Sequence, residues 1–215
     1  MPVKVLIADD HGIIREGLKL ILASQGDMTV VGEAQDGREL LAQVEALGPD
    51  LVLMDLTMPE MNGIEATRIL HERFPAIKVV MLSMHHTREH VFRAIQAGAW
   101  SYILKETAGN VVIKAIREVM RGHIYYGEGV EVPLSSVSSA LTPLCKSPLE
   151  SLSQREREVL QLVVEGKSSI RIAEILSLSP KSIETYRSRL MLKLGVDNIP
   201  SLVKFALLHD ITPDG

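Results

Sequence analysis

Five residues able to do chemistry stand directly after short apolar runs in this 215-residue chain. Asp9 and Asp10 follow 3–8, Asp55 follows 51–54, Ser83 ends 79–83 and Lys105 follows 101–104. Three carboxylates drawn together repel one another and raise each other's pKa unless a hard cation joins them, and a few oxygens leaving room for water suit Mg²⁺. A carboxylate beside such an ion can attack phosphorus and become an aspartyl phosphate. The new phosphoryl oxygens then need donors, and Ser83 and Lys105 are of the right type. Taken singly, each residue has a plainer explanation. An aspartate at a strand end is most often a helix N-cap, and a single lysine is most often a surface charge. Five suitable residues at successive strand ends fit the chemical explanation better.

The apolar runs that position them are Val3–Ala8, 30–34, 51–54, 79–83 and Ser101–Leu104, all short and rich in Val, Ile and Leu, as strands buried on both faces should be. Helix starts lie between them. Asp36 with Glu39 and Asn62 with Glu65 have capping-box spacing, Thr87 opens the segment leading to Ala97, and Gly98 closes it. Strand and helix in alternation predict a three-layer α/β fold: a five-stranded, doubly wound parallel sheet of the flavodoxin type. In such a sheet the ligand site lies beyond the carboxyl ends of the strands, where the five residues fall. No G-x-G-x-x-G follows the first strand, which argues against a dinucleotide-binding domain.

The rhythm stops after Arg121. We therefore expect a first domain over residues 1–121 and a Gly-, Pro- and Ser-rich linker over 122–150 with a short helix near 134–141. Residues 151–215 are expected to form a small all-helical domain. Ser153 with Glu156 opens its first helix, Gly166 ends it, and Ser168 starts the second. Ser179-Pro180 starts the third, Gly195 stops that helix, and Pro200 begins a fourth that ends near His209. The second and third helices have helix-turn-helix spacing. The net charge of −4 gives no global attraction to nucleic acid. The segment 181–193, however, sets Lys181, Arg187, Arg189 and Lys193 against Glu184, which is either a nucleic-acid footprint or a solvated face. The single cysteine, Cys145, excludes a disulfide framework or a cysteine zinc site within one chain. With no signal-like N-terminus and no apolar stretch long enough to span a membrane, the expected location is the cytoplasm.

The DD pair at 9–10, DLTMPEMNG at 55–63, LS at 82–83 and GAWSYILK at 98–105 together resemble the receiver domain of bacterial response regulators over residues 3–121. The resemblance implies that Asp55 is the phosphoacceptor. Asp10, Asp55 and the Thr57 carbonyl would ligate Mg²⁺, and Asp9 would act on the metal through water. It implies further that Ser83 and Tyr102 are the switch pair, that Lys105 holds the phosphoryl group, and that Thr57 and His85 tune dephosphorylation. Many receivers have a cis proline after this lysine, whereas Glu106 follows here. Haloacid-dehalogenase-type phosphohydrolases also use an aspartyl phosphate. They place a second Asp two residues after the nucleophile, a position held here by Thr57, so the missing acid favours a switch over turnover.

Residues 152–196 resemble the LuxR-type DNA-binding domain, and the combination is that of the NarL/FixJ family of transcriptional regulators. The resemblance implies a sensor histidine kinase as phosphodonor, double-stranded promoter DNA as target, and a homodimer on phosphorylation or DNA binding. On the third helix it places base-facing positions at Glu184, Thr185 and Ser188, with Lys181, Arg187, Arg189 and Lys193 available to phosphates. Several relatives carry lysines where this chain has Glu184 and Ser188, and Tyr186 stands where His is common. Those departures sustain a second reading, a phosphorylation-dependent protein-interaction module whose helical domain does not read DNA.

Overall fold

The computed structural model describes residues 1–130, 148–209 and 211. The helix expected near 134–141 and Cys145 lie outside the described residues. The chain forms two compact units, one through Ala140 and one from Leu141.

In the first unit β1 (Val3–Ala8), β2 (Met28–Ala34), β3 (Leu51–Asp55), β4 (Lys78–Ser83) and β5 (Ser101–Leu104) alternate with α1 (Gly12–Ala23), α2 (Gly37–Leu47), α3 (Gly63–Arg73), α4 (Arg88–Gln96) and α5 (Ala108–Met120). The strands run parallel in the order β2-β1-β3-β4-β5, so the order reverses between β1 and β3. That reversal opens the crevice at which doubly wound sheets bind ligands. Side-chain alternation explains the apolar runs. Leu6, Ala8, Val52 and Met54 face a core shared with Leu40, Val44, Leu70 and Val91 of α2, α3 and α4. Their neighbours Val5, Ile7, Leu51 and Leu53 face Leu18, Leu22, Val112 and Ile116 of α1 and α5. Each face hides its own apolar set from water, at about 25 cal/mol per Å² of buried apolar surface.

Among the described residues the sheet has six strands, which corrects the expected five. Tyr125–Tyr126, placed by the sequence in the linker, forms β6 and pairs parallel with β5, Ser101 opposite Tyr125 and Tyr102 opposite Tyr126. Gly122 takes a left-handed conformation (φ 88°) after α5, turning the chain back toward the sheet. Gly127 N–H then donates to the Tyr102 carbonyl at 2.9 Å. Two residues are too few to show a hydrophobic period.

The second unit is helical among the described residues. A 3-10 turn at Pro148–Ser151 precedes α6 (Gln154–Val164), α7 (Ser169–Leu176), α8 (Pro180–Leu194) and α9 (Ile199–Leu208). Ser153 and Glu156 form a complete capping box, Ser168 and Ser179 cap α7 and α8, and Gly195 ends α8 at φ 67°. The fourth helix starts at an Asn198 cap, just ahead of the expected Pro200. Val159, Leu160, Ile172, Leu176, Ile183, Leu190 and Leu202 are buried together in its core.

The tightest local constraint lies at the start of α3. A Cβ at Gly63 would overlap the Asp55 carbonyl oxygen, and Gly63 N–H donates to the Leu56 carbonyl at 2.9 Å. The chain thus loops from Asp55 back onto its own strand end. Gly63→Ala is expected to lower the stability of the first unit by about 3 kcal/mol, since the overlapped atom is backbone and cannot rotate away. Urea unfolding of the full chain, followed through the first unit's transition, measures the loss.

Candidate functional site

The carboxyl ends of β1, β3 and β5 bring Asp9, Asp55 and Lys105 into contact. The Lys105 ammonium lies 2.8 Å from Asp9 Oδ2 and 2.9 Å from Asp55 Oδ2, with all three side chains buried. Asp9 is held from the other side as well, because the His11 N–H donates to its Oδ1 at 2.9 Å. Arg15 fixes the turn by donating from Nη1 to the Asp9 carbonyl at 2.7 Å, while its Nε pairs with Glu33. Neither Asp9 nor Asp10 is the N-cap of α1. His11 occupies that position and gives no side-chain cap bond, so the capping explanation fails for both aspartates. Asp10 lies at the surface of the crevice, its Oδ1 2.7 Å from His11 Nδ1.

One donor atom from each of Asp9, Asp10, His11 and Asp55 falls within 4.8 Å of the others. Asp55 Oδ1 is buried with no hydrogen-bond partner among the described residues. A buried, unpartnered carboxylate oxygen is costly unless something joins it, and a divalent cation answers that need. The donor set is mostly hard oxygen, which fits Mg²⁺.

Burial pushes the Asp55 carboxyl up to about 7, with Asp9 and Asp10 adding to the rise and Lys105 opposing it. Burial works to lower the Lys105 ammonium, but Asp55 and Asp9 outweigh it and leave its pKa raised. Ser83 and Tyr102 stand on neighbouring strands. The Ser83 hydroxyl accepts from the His85 N–H at 2.9 Å, and the Tyr102 ring points inward, fully buried, its hydroxyl donating to the His85 carbonyl at 2.7 Å. Burial raises the Tyr102 phenol further above its ordinary value. The His85 ring stacks on His90 of α4 at 4.8 Å between centroids. Thr87 stands at the N-cap of α4, as expected, with its hydroxyl paired to the His90 ring at 2.6 Å and no side-chain cap bond. Thr57 is buried in the loop after β3. Every described peptide bond is trans, including Lys105–Glu106, and Lys105–Thr107 is a 3-10 turn that still delivers the ammonium to both carboxylates.

In the second unit α7 and α8 are joined by residues 177–179, with Ser177 left-handed at φ 52°. Lys181, Glu184, Thr185, Ser188 and Arg189 are exposed on α8, and Arg187 is half-buried. Lys193 has a partner within the domain. Its ammonium lies 2.6 Å from the buried Glu156 carboxylate and 3.0 Å from the Ser151 carbonyl, so it ties α8 to the capping box of α6. Two participants were missed by sequence reasoning. His11 directly follows the aspartate pair, and that adjacency was the available signal. Ser169 donates to Glu184 from α7, which no local pattern announces.

An Asp whose folded pKa lies above its unfolded 3.8 holds its proton longer in the folded state, so stability falls as pH rises. In the absence of divalent cations, the stability of the wild type relative to Asp55→Asn is expected to decline between about pH 4 and 7 and to level off above. Urea midpoints at a series of pH values, with and without Mg²⁺, check this; the added ion should flatten the decline.

Comparison with known proteins bears on both units. The family model of the response regulator receiver domain matches residues 5–117, and that of the luxR family of bacterial regulatory proteins matches 150–206. The response regulator protein VraR of Staphylococcus aureus is 36% identical over 211 residues, covering 98% of this chain and 99% of VraR. The RcsB response regulator of Salmonella typhimurium aligns with TM-score 0.57 at 27% identity, covering 96% of this chain and 98% of RcsB. An RcsB–DNA complex gives TM-score 0.58 at 27% identity over the same shares. ChrA, the response regulator of a heme-sensing two-component system, gives 0.53 at 30% identity and 98% of each chain. The chain belongs to the response regulators of the NarL/FixJ family, phosphorylation-regulated DNA-binding proteins built of a receiver and a luxR-type domain.

Proposed function

We propose that Asp55 is the residue phosphorylated in this response regulator and that a sensor histidine kinase supplies the phosphoryl group. The observation that carries this reading is the buried Asp9–Lys105–Asp55 contact, which leaves one oxygen of Asp55 without a partner. An Asp55 carboxylate oxygen attacks phosphorus, the P–N bond to the donor imidazole breaks, and its electron pair stays with the imidazole. Lys105 is placed to follow the phosphoryl oxygens. Asp10, Asp55 and the Thr57 carbonyl would hold Mg²⁺, with Asp9 acting through water. When bound, the ion would neutralise charge on the transferring group. Ser83 and Tyr102 form the switch pair. Slow self-dephosphorylation, tuned by Thr57 and His85, returns the protein to its resting state.

The receiver spans residues 1–121 with β6 appended, and the DNA-binding domain spans 151–215. On α8, Glu184, Thr185 and Ser188 face bases, while Lys181, Arg187 and Arg189 serve phosphates. RcsB has been solved as dimers bound to DNA, which supports a homodimer on promoter DNA here. Among the described residues no helix is long and apolar enough to cross a membrane, and a DNA-binding domain supports a cytoplasmic location.

Asp55→Asn is expected to abolish labelling of the full chain by acetyl phosphate in the presence of Mg²⁺, because an amide is not an anionic nucleophile. Labelling at the wild-type rate would remove Asp55 from its role. On DNA, Lys181→Ala and Arg189→Ala should each weaken binding to cognate and scrambled duplexes alike and reduce the salt slope by about 0.9, the share of one neutralised phosphate. Lys193→Ala should instead lower the domain's thermal stability, since it takes a cationic partner from the buried Glu156 carboxylate and leaves that group only its capping-box bond. Isotherms at several salt concentrations, beside melting curves, separate the two behaviours.

A further inference from the structure

The exposed centre of α8 has an uneven chemistry. The Thr185 hydroxyl donates to the Lys181 carbonyl at 3.0 Å, and the Ser188 hydroxyl donates to the Glu184 carbonyl at 3.0 Å. Each hydroxyl hydrogen is therefore committed to the helix backbone, and each oxygen faces outward with lone pairs alone. Glu184, beside them on the helix, is an acceptor only. Its carboxylate is held from two sides, since Ser169 Oγ of α7 donates to Oε1 and Arg187 Nη1 lies 3.5 Å from the same atom. Arg187 also donates to Ser169 Oγ at 3.4 Å, closing the set. Both contacts fall on Oε1, leaving Oε2 for a partner outside the domain. The Glu184 side chain remains 56% exposed, so it is held in place at the surface without being hidden.

From this we infer that α8 selects DNA through the exocyclic amino groups of cytosine or adenine, and that Ser169 is a positioning residue for that selection. The inference rests on α8 being the base-reading helix. In the major groove cytosine N4 and adenine N6 offer N–H donors, while guanine and thymine offer acceptors at the corresponding edge. A face made of three acceptors pairs with the first kind and leaves buried lone pairs opposed against the second. A carboxylate near the phosphate backbone is repelled by it, so Glu184 helps binding only where a base donor meets it. Holding the carboxylate beforehand removes the ordering cost that a free glutamate would meet on binding, and widens the gap between right and wrong bases. The residue doing the holding sits on the preceding helix, α7.

The experiment selects binding sites from a random duplex pool with the full chain treated with acetyl phosphate and Mg²⁺. The enriched duplex is then remade with the amino group deleted, 2-pyrimidinone for cytosine or purine for adenine. The expected result is a cytosine or adenine at the position sensitive to Glu184, with roughly tenfold weaker wild-type binding when its amino group is removed. Glu184→Ala should bind the intact and amino-deleted duplexes alike. Ser169→Ala should keep the preferred base but narrow the discrimination severalfold, and Ser169→Thr, which retains the hydroxyl, should restore it. Melting curves of each variant ensure that a folded domain is compared. An enriched duplex whose amino-deleted form binds as well as the intact one overturns the inference while leaving α8 as the DNA-reading helix. Wild-type discrimination in Ser169→Ala overturns the positioning role. No enrichment at all, together with unchanged binding in Lys181→Ala and Arg189→Ala, overturns the base-reading assignment of α8 and this inference with it.

Discussion

One ammonium group holds the receiver's crevice together. Lys105 bridges Asp9 and Asp55 at the ends of three different strands, and removing it would leave two buried carboxylates facing one another a short distance apart. The order of the strands exists, in functional terms, to make that bridge possible. With β1 and β3 adjacent and β5 two places along, the loops after them converge on one point. The bridge is incomplete by design of charge. A single cation offsets two buried anions, and Asp10 and His11 stand at the rim where further positive charge can enter. The result is a buried polar cluster with an excess of negative charge, which favours the uptake of a cation.

Around that cluster the β4–α4 connection is organised by hydrogen bonds to main chain. Ser83 and Tyr102 both meet His85 through its backbone, one accepting from the N–H and the other donating to the carbonyl. Ser83 and Tyr102 are thereby linked through a single peptide segment, and the His85 ring carries the linkage on to α4 by stacking on His90. A change at the Ser83 hydroxyl must disturb the same residue that anchors the Tyr102 phenol.

Much of this was legible in the sequence because it is local. Val3–Ala8 and Ser101–Leu104 match the apolar runs residue for residue, and Asp36, Asn62, Ser153, Ser168 and Ser179 cap the helices they precede. The acidic site was legible for a different reason. A parallel sheet gathers residues at strand ends, so Asp9, Asp55 and Lys105, far apart in the chain, could be read as one cluster once the strands were recognised. What escaped depends on partners distant in sequence. Lys193 looks like a free basic residue until the fold brings Glu156 beneath it, 37 positions away. Glu184 looks like a stray acid on a basic helix until Ser169 reaches it from α7. Thr87 holds the N-cap position of α4, but its hydroxyl pairs with the His90 ring in place of a backbone N–H.

The sixth strand, too short to announce itself in the sequence, changes what the receiver can do with other chains. A parallel sheet that ended at β5 would present that strand's outer edge, with its unpaired N–H and C=O groups, as a template onto which another polypeptide could extend the sheet. Tyr125 and Tyr126 cover it, and Gly127 completes the cover through its bond to Tyr102. Among the described residues, what stands outermost on that side is a strand of two residues. Strand addition is thereby blocked along Ser101 and Tyr102, so an approaching chain cannot extend the sheet through that stretch of β5.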